Sequence, residues 1–234
     1  MGLLWSLFNP ILMLAVYTFV FSVIFKSRWV GGSESKTEFA LVLFAGLMVF
    51  NLFSECINRA PTLILSNSNY VKKVVFPLEI LPIVSLGSAI FNLVINLIVW
   101  IVFYTFFFGI PSSTILTLPI VLLPLFIMTL GLSWLFASLG VYLRDVTQII
   151  GIATTILMFL SPIFYPISSL PKEYQELMQL NPLTSLIEQS RDTMIWGKNL
   201  DLIIWLKQII YSTAIAAFGL FWFQKTRPGF SDVL

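Results

Sequence analysis

The chain has 234 residues, of which 58% are hydrophobic and 10% charged, with a mean hydropathy of +0.95; a soluble domain carries roughly a quarter charged residues, so this composition identifies an integral membrane protein. With no histidine and the single cysteine Cys56, the chain has no internal disulfide framework, no Cys/His metal cluster and no His-based nucleophile–base pair. Its net charge of +2 is scattered, without the basic stripe of a nucleic-acid binder.

At the N-terminus, MGLLWSLF has no positive segment and no small-residue cleavage site follows, which argues against a cleaved signal peptide. The Met-Gly-x-x-x-Ser match to a myristoylation pattern reads as chance, because a chain crossing the bilayer several times gains nothing from a weak acyl anchor. A helix needs about 20 apolar residues to cross the ~30 Å hydrocarbon core. Six stretches qualify: 3–25 with a kink at Asn9-Pro10, 39–56, 78–108 opening under Pro77 and Pro82, 115–142, 146–164 and 202–223. They are joined by KSRWVGGSESKTE, the polar connection Asn58–Pro77, the turn GIPSST, the elbow Leu143–Asp145 and an insert after the fifth span. An even number of spans puts both termini on one side. Lys and Arg divide evenly between the two sides, so the charge rule does not decide which side is cytoplasmic; Lys72 and Lys73 beside a span favour cytoplasmic termini weakly.

The insert opens with LSPIFYPISSLP. Pro166 and Pro171 each remove a backbone donor and bias the preceding residue away from helix, so the fifth helix is expected to stop near Phe164. PKEYQELMQL then carries an apolar stripe of Tyr174, Leu177 and Met178. NPLTSLIEQSRDTMIW starts with Asn181 as N-cap and Pro182 at the first helical position. Its apolar face is Leu183, Leu186, Ile187 and Met194, and its polar face Glu188, Gln189, Arg191 and Asp192. Helices over 171–180 and 182–195 are too short to cross. Such a pair either lies on the membrane surface or dips in and returns, the latter only where protein or a water-filled cavity covers its polar groups.

Four segments in order, VKKVVFPLEILP (Val71–Pro82), YLRDVTQI (Tyr142–Ile149), SPIFYPISSLP (Ser161–Pro171) and NPLTSLIEQSRD (Asn181–Asp192), resemble the membrane subunits of bacterial ABC transporters that export lipid-linked polysaccharide. These are the O-antigen, capsule and teichoic-acid exporters of the type-2 permease class, and the likeness covers nearly the whole chain. The resemblance implies an all-α integral membrane protein with six transmembrane helices and two short re-entrant amphipathic helices between spans five and six, on the outer side. It implies the bacterial cytoplasmic (inner) membrane, cytoplasmic termini, a homodimer and two copies of a separate ABC ATPase subunit. Members of that family usually begin with a basic amphipathic helix ahead of the segment equivalent to GLLWS. Here Met1 stands where that helix would end, an expected departure that bears on ATPase docking.

The sequence contains no Gly-x-x-x-x-Gly-Lys-Ser/Thr loop, so no cofactor, catalytic residue or metal site is assigned to this chain, and ATP and magnesium are expected on the partner subunit. The resemblance makes Asn58–Pro77 the ATPase-coupling element, with Arg59, Asn67, Tyr70, Lys72 and Lys73 as contacts. A basic loop meeting anionic headgroups explains Lys72 and Lys73 equally well. Arg144 and Asp145, in the second elbow on that side, pair with each other, cap the neighbouring helices or touch the ATPase. Glu79, near the end of a span, needs a partner or water: Lys72, Lys73 and Arg59 are within reach along the chain, and snorkelling to the interface serves equally.

The cargo implied is a polyprenyl-pyrophosphate-linked glycan, whose lipid end stays in membrane lipid. Sugar rings favour aromatic faces, nominating Tyr17, Phe21, Phe25, Trp29 and Tyr165 for the channel, with Arg59, Lys72 and Lys73 for the pyrophosphate. The outer gate is assigned to Pro166, Pro171, Asn181, Pro182, Glu188 and Arg191. The alternative is a type-2 permease for a drug, lipid or other small molecule. An intramembrane enzyme would need a Ser/His or paired-Asp constellation within spans, which the sequence lacks.

Overall fold

The computed structural model describes residues 2–20, 36–72 and 76–233. Every regular element among them is helical: α1 (Gly2–Tyr17), α2 (Lys36–Ser66), α3 (Ser68–Lys72), α4 (Ile80–Phe108), α5 (Leu118–Val121), α6 (Leu123–Tyr142), α7 (Val146–Phe159), α8 (Lys172–Gln179), α9 (Pro182–Met194), α10 (Leu202–Thr226) and α11 (Phe230–Val233). Among the described residues, four helical stretches are long and apolar enough to cross a membrane: Thr37–Ser66, Ile80–Phe108, Ser113–Tyr142 and Leu202–Val233. Phe8–Val20 and Val146–Phe159 are shorter apolar helices. The chain is a multi-pass, helical membrane protein. The apolar stretch of α2 is largely buried within the protein, whereas that of α10 is mostly exposed, with Ile203 and Ile210 on its outer surface.

Two helix ends differ from those read in the sequence. The second helix does not stop at Cys56 but runs on to Ser66, through residues assigned above to a polar connection. Asn58 is accommodated because its amide turns back onto the Ser54 carbonyl (2.8 Å) and hydroxyl (3.0 Å). Arg59 lies one turn from Glu55, 3.9 Å away. Pro61, which removes one helical hydrogen bond, sits where Gly140 lets α6 approach: any Cβ at Gly140 would run into the Pro61 carbonyl. Packing there outweighs the local propensity.

The fifth helix stops at Phe159 rather than Phe164. Pro162 disfavours helical geometry at Ser161, so the break comes one proline earlier than expected. The resulting 14-residue helix is about 21 Å long at ~1.5 Å per residue, short of a full crossing. The fourth stretch is also interrupted. A tight turn at Ser113–Thr117 and the short α5, with Pro119 in its first turn, precede α6.

The chain forms two compact units, Met1–Asn51, Phe91–Leu122 and Met158–Asp201 making the first, and Leu52–Ile90, Leu123–Leu157 and Leu202–Leu234 the second. In the first unit the early part of α2 is buried on nearly all sides, and the fully buried Trp100 donates its indole N–H to the Leu41 carbonyl at 3.1 Å. In the second unit α6 and α10 cross at small residues. A Cβ at Gly131 would meet the backbone of Ala216, and one at Gly219 the carbonyl of Gly131. This is the close backbone approach that small residues permit between membrane helices. Beside the crossing, Ile64, Leu78, Trp134, Ala137, Val141, Phe223 and Phe230 form a buried cluster.

Candidate functional site

In the first unit, the proline break leaves the end of α7 with carbonyls that no helical N–H can reach. Three side chains take them. Tyr165 donates its hydroxyl to the Phe159 carbonyl at 2.8 Å. The Asn181 amide donates to the Leu160 carbonyl at 3.2 Å and the Ser161 hydroxyl at 2.9 Å, while its oxygen caps α9 by accepting from the Leu183 N–H at 3.0 Å. Arg191 takes the next two, donating to the carbonyls of Pro162 and Ile163, the latter at 2.7 Å.

Arg191 is therefore not on a solvent face, and this corrects the amphipathic reading of α9. Its side chain is 3% exposed, and its third donor, Nε, reaches the Val42 carbonyl of α2 at 3.0 Å. Gln189, Ser190, Thr184 and Thr193 are buried as well, leaving a narrow open strip along Ser185, Glu188 and Asp192. Gly46 makes the arrangement possible, because any side chain there would occupy the place of the guanidinium. Burial pushes the guanidinium down to about 9 while the Glu188 carboxylate opposes the shift, so Arg191 is a cation at neutral pH. A buried cation on backbone carbonyls is tolerated because each of its three nitrogens donates to one of them.

The far end of α9 is held with equal care. Thr114 donates to the Thr193 carbonyl at 2.7 Å, the Lys198 N–H reaches the Asp192 carbonyl at 2.9 Å, and Lys198 pairs with the Asp192 carboxylate at 2.9 Å. Gly197, at φ +61°, turns the chain off the helix in the left-handed conformation that favours glycine. By contrast α8, which follows Pro171 as its N-cap residue, buries only Met178. Tyr174 and Leu177 of its predicted apolar stripe are 58% and 64% exposed. Of the proposed gate residues, Asn181 and Arg191 are bolts on α9, Pro182 occupies its first turn, Pro166 opens a single tight turn and Glu188 reaches solvent.

The predicted coupling residues fall in the second unit. Arg59 lies on the last turns of α2. Asn67 joins α2 to α3, its amide donating to the Leu63 carbonyl at 2.8 Å and its own carbonyl accepting from the Tyr70 N–H at 2.9 Å. Tyr70 is exposed and stacks on Phe76, centroids 4.8 Å apart. Phe76 in turn packs against the buried cluster around Trp134 and Phe230. Lys72 ends α3, and Lys73 lies outside the described residues. Arg144 and Asp145 are both exposed at the α6–α7 elbow, where the Asp145 carbonyl accepts from the N–H groups of Gln148 and Ile149 at 3.0 and 3.1 Å; no ion pair between the two appears among the described residues.

Glu79 is paired, but with a residue the sequence reading did not nominate. Arg227, beyond α10, donates to its carboxylate at 2.8 Å, taking the place expected of Lys72, Lys73 or Arg59. Trp134 donates its indole N–H to the Glu79 carbonyl at 3.0 Å. Ser138 and Tyr142 of α6 meet Thr226, the former hydroxyl to hydroxyl at 2.6 Å and the latter donating to its carbonyl at 2.8 Å. The start of α4, the end of α6 and the end of α10 are thus tied together around one apolar cluster.

Among the nominated channel aromatics, Tyr17 closes α1 and is half-buried, Tyr165 is the α7 cap described above, and Phe21, Phe25 and Trp29 lie outside the described residues. Sequence reasoning missed Gly46, Thr114, Trp134 and Arg227. Only Gly46 left a trace, as an isolated glycine in the bulky run FALVLFAGLMVFNLF.

The family model described as "ABC-2 type transporter" matches residues 1–195. An O-antigen export system permease protein RfbA of Klebsiella pneumoniae is 25% identical over all of this chain and 88% of its own length. A protein of the same name from Myxococcus xanthus is 27% identical over 80% of this chain and 70% of the relative. The polysialic acid transport protein KpsM of Escherichia coli is 26% identical over 84% of this chain and 75% of the relative.

Proposed function

Because the chain belongs to the ABC-2 type transporter family, we propose that it is the membrane subunit of an ATP-driven exporter of lipid-linked polysaccharide in the bacterial cytoplasmic membrane. In this reading two copies enclose the path, both termini face the cytoplasm, and two copies of a separate ATPase subunit supply the energy. The cargo is a glycan on a polyprenyl pyrophosphate, of the O-antigen, capsule or teichoic-acid kind. The end-to-end likeness to permeases named for O-antigen export carries the reading. The sequence holds no phosphate-binding loop, so this reading expects hydrolysis on another chain.

The second unit supplies a physical route for force. A partner pressing on α3 meets the exposed ring of Tyr70, which bears on Phe76 and through it on the cluster that joins α4, α6 and α10. Close-packed interiors transmit displacement instead of absorbing it, so motion at α3 reaches three helices at once. Arg59, Lys72 and Lys73 serve the same face, as contacts to the ATPase or to the pyrophosphate. In the first unit, α9 acts as a fixed post, bolted by Asn181 and Arg191, while the largely exposed α8 forms the movable part of the outer gate.

The test is co-purification of this chain with the product of an adjacent ATPase gene, followed by ATPase assay with and without lipid-linked glycan. Stable assembly and stimulation by the glycan are expected. Assembly with stimulation by a small amphiphile but not by the glycan would replace the cargo with a drug or lipid.

A further inference from the structure

Where the end of α9 meets α2 and α4 in the first unit there is a cavity of about 200 Å³, lined by Glu38, Leu41, Tyr104, Phe108, Ile195 and Trp196. Three of the six linings are aromatic and one is a carboxylate. We infer that this cleft is a binding subsite for one sugar ring of a glycan chain. The inference rests on the polysaccharide reading above and names for the carbohydrate residues other than the aromatic ones nominated in the sequence.

The chemistry follows from the walls. A pyranose presents C–H faces, which pack on aromatic rings, and hydroxyl groups at its edge, which a carboxylate accepts as charge-assisted hydrogen bonds. An acyl chain is a poor occupant, since it brings no donor to the Glu38 carboxylate in the wall of the cleft. A quaternary ammonium calls for aromatic faces closing around the charge. Here Tyr104 and Phe108 instead follow one another along a single face of α4, with centroids 5.6 Å apart, and the buried Trp100 backs Tyr104 at 4.7 Å, so the rings line the cleft from one side.

The site is also pre-organised. Tyr104 is stacked on Trp100, itself buried and tied to Leu41. Trp196 leaves α9 between the Thr114 bond to Thr193 and the left-handed Gly197, whose turn is closed by the Lys198 N–H on Asp192. Trp196 and Phe108 are partly open to solvent, so their rings stand ready without a change of backbone. Little ordering entropy remains to be lost on binding.

The experiment uses the full chain in lipid nanodiscs and maltohexaose as probe, read by saturation-transfer difference NMR, with choline as competitor. Saturation of the sugar C–H protons is expected. Trp196→Ala should weaken binding about tenfold, Trp196→Phe should keep it within about threefold, and Glu38→Ala should weaken it roughly fivefold. Helical circular dichroism and the Phe variant distinguish loss of the platform from loss of fold. Absence of sugar saturation, unchanged binding in Trp196→Ala, or displacement by choline would each overturn the subsite. The export reading fails separately, if deleting the gene leaves surface polysaccharide unchanged.

Discussion

The guanidinium of Arg191 occupies the space that any side chain at Gly46 would need, and the two are brought together from distant parts of the sequence. Removing Arg191 leaves the carbonyls of Val42, Pro162 and Ile163 buried without these donors. Arg191→Ala is therefore expected to destabilise the protein by about 3 kcal/mol or more, given roughly 1–3 kcal/mol for each unsatisfied buried polar group. Arg191→Lys rescues little, because one ammonium cannot replace a planar fork. Gly46→Ala should lower thermal stability on its own but cost much less in the Arg191→Ala background, a coupling that melting of the four proteins of a double-mutant cycle in detergent measures directly.

Glu188 shares the open strip of α9 with a second acidic residue, Asp192. Partial burial pushes the Glu188 carboxyl above the usual glutamate range; Asp192 adds to the rise, and Arg191 and Lys198 only partly offset it. The native state thus holds that proton more tightly than the unfolded chain does. Stability contributed here is present below the unfolded glutamate value and is lost as pH rises through the raised native one. Glu188→Gln should flatten the fall in melting temperature between about pH 4 and pH 7 and raise stability at neutral pH. A steeper fall in the Gln variant would contradict the assignment.

The Glu79–Arg227 pair links the start of α4 to the residues after α10. Arg227 is 39% exposed, so screening by water limits the pair to about 1 kcal/mol. Glu79→Gln should accordingly unfold at nearly the parent temperature. Its larger effect is expected in coupling, as a reduced stimulation of the partner ATPase by cargo with assembly intact. Equal stimulation in both proteins would confine the pair to a structural role.

Cys56 is 1% exposed and should stay silent toward maleimides in the folded protein. That makes the parent chain a background for single-cysteine labelling. Glu188→Cys should react with a membrane-impermeant maleimide added to intact cells, whereas Ser190→Cys, fully buried on the same helix, should not. Labelling of Glu188→Cys only after the inner face is opened would invert the proposed orientation.

Much was legible in the sequence alone because the governing effects are local or additive. Apolar length predicts membrane helices, and the Asn181–Pro182 pair marks a helix start that the structure shows capped as described. Prolines announce that α7 must break, though choosing among Pro162, Pro166 and Pro171 needed the backbone itself. Arg191 looked like a surface residue because helical periodicity ranks side chains by type, and a charged type is normally solvated.

What only the tertiary structure decided is which distant groups meet: Arg191 with Val42, Glu79 with Arg227, Trp134 with the Glu79 carbonyl. The partners in two of these contacts are backbone carbonyls, which every residue carries and no sequence pattern distinguishes. Helix ends behaved in the same way, since α2 passes through Pro61 on the strength of packing against Gly140. Composition and periodicity set which segments enter the membrane; the pairing of buried polar groups, each too costly to leave unsatisfied, set how those segments are joined.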